Sequence, residues 1–117
     1  LRIYRNCLMV SGNGWRSKAA DPNMKIADGK WHHVVLAFRN KVKDGAKVYI
    51  DGELKTAVTP RFLRHVYTRL QLCAPVGWGG GLVYLDGAID DVMFFGRVLS
   101  DAEVKELFET GFLSAAK

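Results

Sequence analysis

Trp31, His32 and His33 stand in a row within "DGKWHHVVLAF", residues 28–38. Histidine is the side chain that most readily binds metal or takes a proton near neutral pH. The same segment is rich in β-formers, with Val34, Val35, Leu36 and Phe38 following the pair. Neighbours along a strand point to opposite faces, so His32 and His33 cannot converge on one ion. Zinc would need further ligands. The chain offers one other histidine, His65, and its cysteines, Cys7 and Cys73, form no CxxC pair. The histidine pair is therefore expected to be framework, and the segment the wall of a core.

Carboxylates are the next candidates. A glycosidase holds two of them across the scissile bond. Glu103, Glu106 and Glu109 fall in a helical pattern that leaves them solvated, and the adjacent Asp90 and Asp91 diverge. There is no Gly-x-Ser-x-Gly elbow. "GWGGG", residues 77–81, lacks the Lys-Ser/Thr of a phosphate-binding loop. The expectation is a protein that is not an enzyme.

Residues suited to binding are more plentiful. Trp15 and Trp78 both sit in glycine-rich loops, where an indole can stack on a ligand or fold back over the core. "PRFLRHVYTR", residues 60–69, gathers Arg61, Arg64, His65 and Arg69 around Phe62 and Tyr67. That mixture suits phosphate or sulfated sugar; its alternative is a basic strand edge that resists sheet-to-sheet pairing. It carries no RNA-binding signature, and nucleic acid is a minor option. Trp15, Trp78, Arg61, Arg64 and Arg69 are the candidate ligand-binding residues. The net charge of +5 favours anionic partners or a solvated basic surface.

These residues must be positioned by short elements. Residues 1–10 alternate in the manner of a strand, and "SGNGW", residues 11–15, is turn chemistry. Asp51-Gly52 between "KVYI" and "ELKTAV" is a strong hairpin signal. "VYTRLQL", residues 66–72, alternates again, and "LVYLDGAIDDVMFFG" is the last long β segment. Only "LSDAEVKELFETG" looks helical. Ser100 is a natural N-cap with Glu103 three residues on, Leu99 can staple to Val104, and Gly111 suits a left-handed C-terminus. No apolar run approaches the roughly 20 residues of a membrane span. The pattern predicts an all-β antiparallel sandwich with one short C-terminal α-helix near residues 100–110. Trp31, Val34, Leu36, Val48, Ile50, Leu70, Leu72, Val92 and Phe94 should include most of its core. Asp90 shares strand parity with Val92 and Phe94, which places it inside, where a carboxylate must be paired, hydrogen-bonded or metal-bound.

Three segments together carry a family likeness: Asp28–Val34, Val48–Gly52, and Tyr84–Val92 running on through Phe94 and Phe95 to Arg97-Val98-Leu99-Ser100 and the helix. In this order the chain resembles the laminin-G-like, concanavalin A-like jelly-roll family over roughly residues 1–112. The resemblance implies one domain across residues 1–117, incomplete at its N-terminus because relatives carry earlier strands. It implies that a structural calcium is sometimes held near Asp90; the alternative is that Asp90 accepts backbone hydrogen bonds in a turn and that no cofactor is bound. It further implies a noncatalytic glycan-binding or adhesion module of extracellular type. The alternative is a protein-interaction or scaffold module inside a larger assembly. Earlier strands missing from the sandwich would leave an edge for strand donation from another chain, or for a homodimer.

Overall fold

A computed structural model of the chain describes residues 1–12, 14–61 and 85–114. The chain divides into two compact units, Leu1–Leu63 with Gly96–Lys117, and Arg64–Phe95. Arg64, His65, Arg69, Leu70, Leu72, Cys73 and Trp78 lie outside the described residues.

In the larger unit the described residues form β1 (Arg2–Tyr4), β2 (Cys7–Met9), β3 (Ser11–Gly12), β4 (Trp15–Arg16), a 3-10 turn (Pro22–Met24), β5 (Val34–Phe38), β6 (Ala46–Ile50), β7 (Glu53–Val58) and α1 (Asp101–Thr110). Every pairing is antiparallel: β1 with β2, β3 with β4, and β5-β6-β7 as a meander. Residues 1–10 are thus a hairpin rather than one strand. Arg5 and Asn6 take φ of 48° and 66° and reverse the chain between Tyr4 and Cys7.

The meander is the middle layer of this unit. Val34 pairs with Ile50 and Leu36 with Val48, so these four share a face; Val35 with Tyr49 and Ala37 with Lys47 share the other. Val48 and Ile50 pack with Cys7, Leu8, Val10 and Met24, flanked by Trp15, Ile26, Val34 and Val58. On the opposite face Tyr49 and Ala37 pack with Leu99, Val104 and Leu107 of the helical segment. Alternation along "KVYI", with Val48 and Ile50 inward, puts Tyr49 on the other face, yet it is 1% exposed. The helix covers the face that alternation alone would leave to solvent, so β6 is buried on both sides.

The turns follow their local chemistry. Asp51 and Gly52 have φ of 52° and 80°, the pair of left-handed conformations that matches the twist of the flanking strands. At the helix start the Ser100 hydroxyl accepts from the Glu103 amide at 3.2 Å, and the Glu103 carboxylate accepts from the Ser100 amide at 2.8 Å. Leu99 and Val104 meet in the same buried cluster, as a staple should. Gly111 closes the helix at φ 79°, its amide donating to the Leu107 carbonyl at 2.9 Å.

Four residues assigned to the core are exposed. Trp31 is 72% exposed because the ladder begins only at Val34, so strand parity does not reach it. Leu36, at 37%, shares a face with Val48 but lies on the outer strand of the meander, beside the packed cluster rather than in it. Val92 and Phe94, at 47% and 73%, belong to the smaller unit, where Leu85–Phe95 forms no strand among the described residues. Without a ladder there is no period of two to send alternate side chains inward. Asp90, expected inside on the same parity, is exposed for the same reason. Its Oδ1 accepts from the Asp91 amide at 2.8 Å, and Asp91 turns with φ 51°.

Candidate functional site

The histidine pair resolves into two structural roles. Asp28 opens the approach to β5; its Oδ1 accepts from the Lys30 amide at 3.0 Å, and Gly29 takes φ 78° to allow the turn. His32 then lies between two carboxylates, with Nδ1 2.8 Å from Asp51 Oδ2 and Nε2 2.8 Å from Asp28 Oδ1. Asp51 is fixed in turn: its Oδ1 accepts from the His33 amide at 2.9 Å, and its own amide donates to the His33 carbonyl at 2.8 Å. The hydrogen bond to Asp51, then that to Asp28, raises the pKa of His32 above the ordinary histidine value. The His32 ring and the Lys30 amide hold the Asp28 carboxyl below the usual carboxylate range. Burial opposes ionisation of Asp51, but the His32 ring and the His33 amide outweigh it and its pKa is lowered. In its imidazolium form His32 donates from both ring nitrogens and has no lone pair for a metal or a substrate proton. It pins the hairpin turn to the start of β5. His33 turns the other way, its ring centroid 5.9 Å from that of Phe108 on the helix.

The binding candidates gather elsewhere in the same unit. An open cleft of about 660 Å³ is walled by Arg2 of β1, Trp15 and Arg16 of β4, and Arg61 just beyond β7. Ser11, Gly12 and Gly14 line the side of the β3–β4 hairpin, and Val58 and Thr59 complete the lining. That hairpin is closed by the Ser17 amide on the Val10 carbonyl at 2.8 Å, and the Val10 amide on the buried Ser17 hydroxyl at 3.1 Å. Trp15 pairs with Gly12 across it. A Cβ on Gly12 would come within 2.6 Å of Trp15 Cε2, so glycine is what lets the indole lie against this strand. One side of the indole packs toward the core, with its ring centroid 6.2 Å from that of Phe38, and it also lines the cleft. Arg61 is placed by a tethered segment. The Thr59 hydroxyl accepts from the Asp44 amide at 3.0 Å, and the Pro60 carbonyl accepts from the Lys41 amide at 3.0 Å.

Of the five ligand-binding candidates, then, Trp15 and Arg61 come together, and Arg64, Arg69 and Trp78 lie outside the described residues. Arg2 and Arg16 are additions. Arg16 adjoins Trp15 in the chain and could have been flagged with it. Arg2 arrives through long-range packing of β1, which no local pattern announces. None of the lining side chains is a carboxylate, and Arg2, Arg16 and Arg61 make no ion pair among the described residues.

A calcium ion takes six to eight oxygen ligands. Among the described residues no group of three or more His, Cys, Asp or Glu side chains could hold a metal ion, and Asp90 already receives the Asp91 amide. The idea of calcium near Asp90 thus rests on the resemblance. No helix among the described residues is long and apolar enough to cross a membrane.

No curated protein matches the chain. Among solved structures, an S-layer domain-containing protein from Clostridium thermocellum, crystallised as residues 221–444, aligns with a TM-score of 0.60 at 23% identity. The alignment covers 80% of this chain and 44% of that one, so the chain spans less than half of the neighbour's length. At this identity the likeness is one of fold. A laminin G family model, described as the concanavalin A-like lectin/glucanases superfamily, matches residues 5–105. The match begins at the turn after β1 and takes in β2, the β3–β4 hairpin, the three-stranded meander and the first half of the helix. This chain belongs to the concanavalin A-like lectin/glucanases superfamily.

Proposed function

We propose that the chain is a noncatalytic recognition module of the carbohydrate-binding kind, and that the cleft around Trp15 is its binding site. The observation that carries this is the meeting of Trp15 with Arg2, Arg16 and Arg61 around one concavity of about 660 Å³. An indole presents a flat apolar face to the C–H side of a sugar ring, and guanidinium groups donate to its oxygen substituents. The volume lies within the range of small-ligand sites. Paired carboxylates are what glycoside hydrolysis uses, whereas the lining here consists of donors and one aromatic face. Superfamily membership supports a binding role, and the S-layer domain of the structural neighbour supports a setting at the cell surface.

The test is a glycan array probed with the purified chain and with Trp15→Ala and Trp15→Phe. The chain should retain at least one class of glycan. Trp15→Ala should weaken binding by about tenfold or more, as for an aromatic anchor, while Trp15→Phe, which keeps an apolar ring, should lose less. Absence of any glycan signal from a chain that melts cooperatively would reject the proposal.

A second reading is a protein-interaction module without a sugar ligand. It is favoured by β1, all of whose residues are exposed, including Ile3 and Tyr4 at 44% each. Self-association through this strand would appear as a mass that rises with concentration in light scattering.

A further inference from the structure

We infer that His32, Asp28 and Asp51 form a pH-sensitive latch on the turn that leads into β5. The imidazolium ring closes the latch by bonding both carboxylates; the neutral ring keeps Asp51, lets Asp28 go and frees residues 29–31. The latch is independent of the cleft and of any ligand.

The turn is a flap between two fixed feet. At one foot the Ile26 and Ala27 amides donate to the Asn6 carbonyl at 2.9 and 3.1 Å. At the other, the His33 amide donates to the Asp51 carboxylate at 2.9 Å and the Asp51 amide to the His33 carbonyl at 2.8 Å. Between the feet, residues 27–31 are all exposed, and Trp31 at the end is 72% exposed. Exposure leaves little packing to hold this stretch. Across Gly29, Lys30 and Trp31, the backbone hydrogen bond among the described residues is that of the Lys30 amide to Asp28 Oδ1, a bond within the flap itself. What ties the flap to the frame is the His32 ring on Asp28.

Both links of the latch need a donor on the ring. Imidazolium supplies two N–H groups, whereas the neutral ring has one N–H and one lone pair. The lone pair repels the carboxylate it faces, so one link opens when the ring loses its proton. Asp51 is the partner that keeps its donor. Its carboxylate is partly desolvated and is fixed by the His33 amide, beside the Val34–Ile50 rung of the sheet. Leaving an ionised group there without a donor is costly. Asp28 is exposed, keeps the Lys30 amide on the same oxygen, and takes water in place of the ring. The remaining ring proton thus belongs on Nδ1, and the link from Nε2 to Asp28 is the one that parts.

Other charged and titratable groups surround the latch. Lys30 stands beside Asp28 and His33 beside Asp51. Glu53 of β7 faces Asp51, is held by Lys55 at 2.8 Å, and has Lys105 of α1 near it. The hydrogen bonds to Asp51 and then to Asp28 outweigh the ring's partial burial and raise its pKa. The latch is therefore closed at about pH 6 and opens as pH rises past the ordinary histidine value.

The experiment is NMR of the isotope-labelled chain from about pH 5.5 to about pH 9. Nitrogen shifts of the His32 ring report its protonation and tautomer. Carbon-13 relaxation at the α-carbons of residues 29–31 reports their order without loss of signal to amide exchange. Their order parameters should stand near about 0.85 at low pH and fall below about 0.6 at high pH. The midpoint should coincide with that of the ring, Val34 and Gly52 should stay rigid, and the neutral ring should carry its proton on Nδ1. His32→Gln should abolish the step. Asp28→Asn keeps an acceptor for the Lys30 amide but removes the charge, and should move the ring midpoint and the step together to lower pH. Amide spectra at pH 6 establish that each variant is folded; if His32→Gln is not, the parent chain and Asp28→Asn carry the test. Constant order at residues 29–31 while the ring titrates would overturn the inference, as would a step that survives His32→Gln. A neutral ring protonated on Nε2, or an unmoved midpoint in Asp28→Asn, would do the same.

Discussion

His32 carries the clearest electrostatic consequence. Its two ring nitrogens face two carboxylates, an arrangement that only the imidazolium form can satisfy. The pKa of His32 is raised in the folded protein, so its contribution to stability is complete below the unfolded value near 6.5 and is lost as pH rises through the raised value. Asp28 and Asp51 have lowered values. Their contribution is present above about pH 4 and is lost as pH falls through those lowered values. The cluster therefore stabilises most between about pH 4 and about pH 6.5. The melting temperature should decline from about pH 6 to about pH 9, and His32→Gln should lower it at pH 6 and flatten that decline. A decline of unchanged size in the variant would show that other groups cause it. Half of this cluster was legible in the sequence. Asp28 and His32 lie four apart, while Asp51 is contributed by a turn nineteen residues beyond His32, and only the pairing of β5 with β6 brings it back. Adjacent histidines advertised a shared site; in the approach to β5 one meets a carboxylate clamp and the other the helix.

Elements with a complete local signal formed where their residues said they would. The capping box at Ser100 and Glu103 begins α1, and the Arg97 guanidinium together with the Ser100 amide holds the Glu103 carboxyl down at about 2. Ser100→Ala removes the acceptor for the Glu103 amide and should cost about 1 kcal/mol in urea denaturation. The β6–β7 turn makes a stricter demand. Gly52 sits at φ 80°, and a Cβ there would lie 2.9 Å from Phe108 Cδ1. Gly52→Ala should therefore cost at least the roughly 1–2 kcal/mol of placing a side chain in the left-handed region. A loss within error at Gly52 would mean that the turn rearranges freely. Leu36 apart, the exposed core assignments share a cause: Trp31 and the run Leu85–Phe95 read as strand in the sequence, and an inward face has meaning only where a neighbouring strand fixes the pleat. The Asp-Gly at 86 and 87 resembled the Asp-Gly at 51 and 52, but among the described residues it is the latter that joins two paired strands.

For the molecule as a whole, family membership was legible in three dispersed segments. The number of layers was not. Tyr49 shows why: its hydroxyl donates to Asp101 at 2.6 Å, and both burial and that bond raise its pKa. A tyrosine on the supposed outer face was thus the anchor of a helix fifty residues later, and no local pattern links them. The larger unit consequently has two cores on opposite faces of one meander, Val48 in one and Leu107 in the other. If the meander couples them, loosening either core should lower a single cooperative transition. Val48→Ala should cost on the order of 1–3 kcal/mol, and Leu107→Ala about 2–5 kcal/mol. The two side chains share no cluster, so the double variant should equal the sum to within about 0.5 kcal/mol. Chemical denaturation followed by tryptophan fluorescence and by helical circular dichroism checks both statements at once. Coincident transitions with additive losses are the expected result. Separate transitions, with Leu107→Ala moving only the helical signal and Val48→Ala only the fluorescence, would show that the helix and the hairpins are held to the sheet independently.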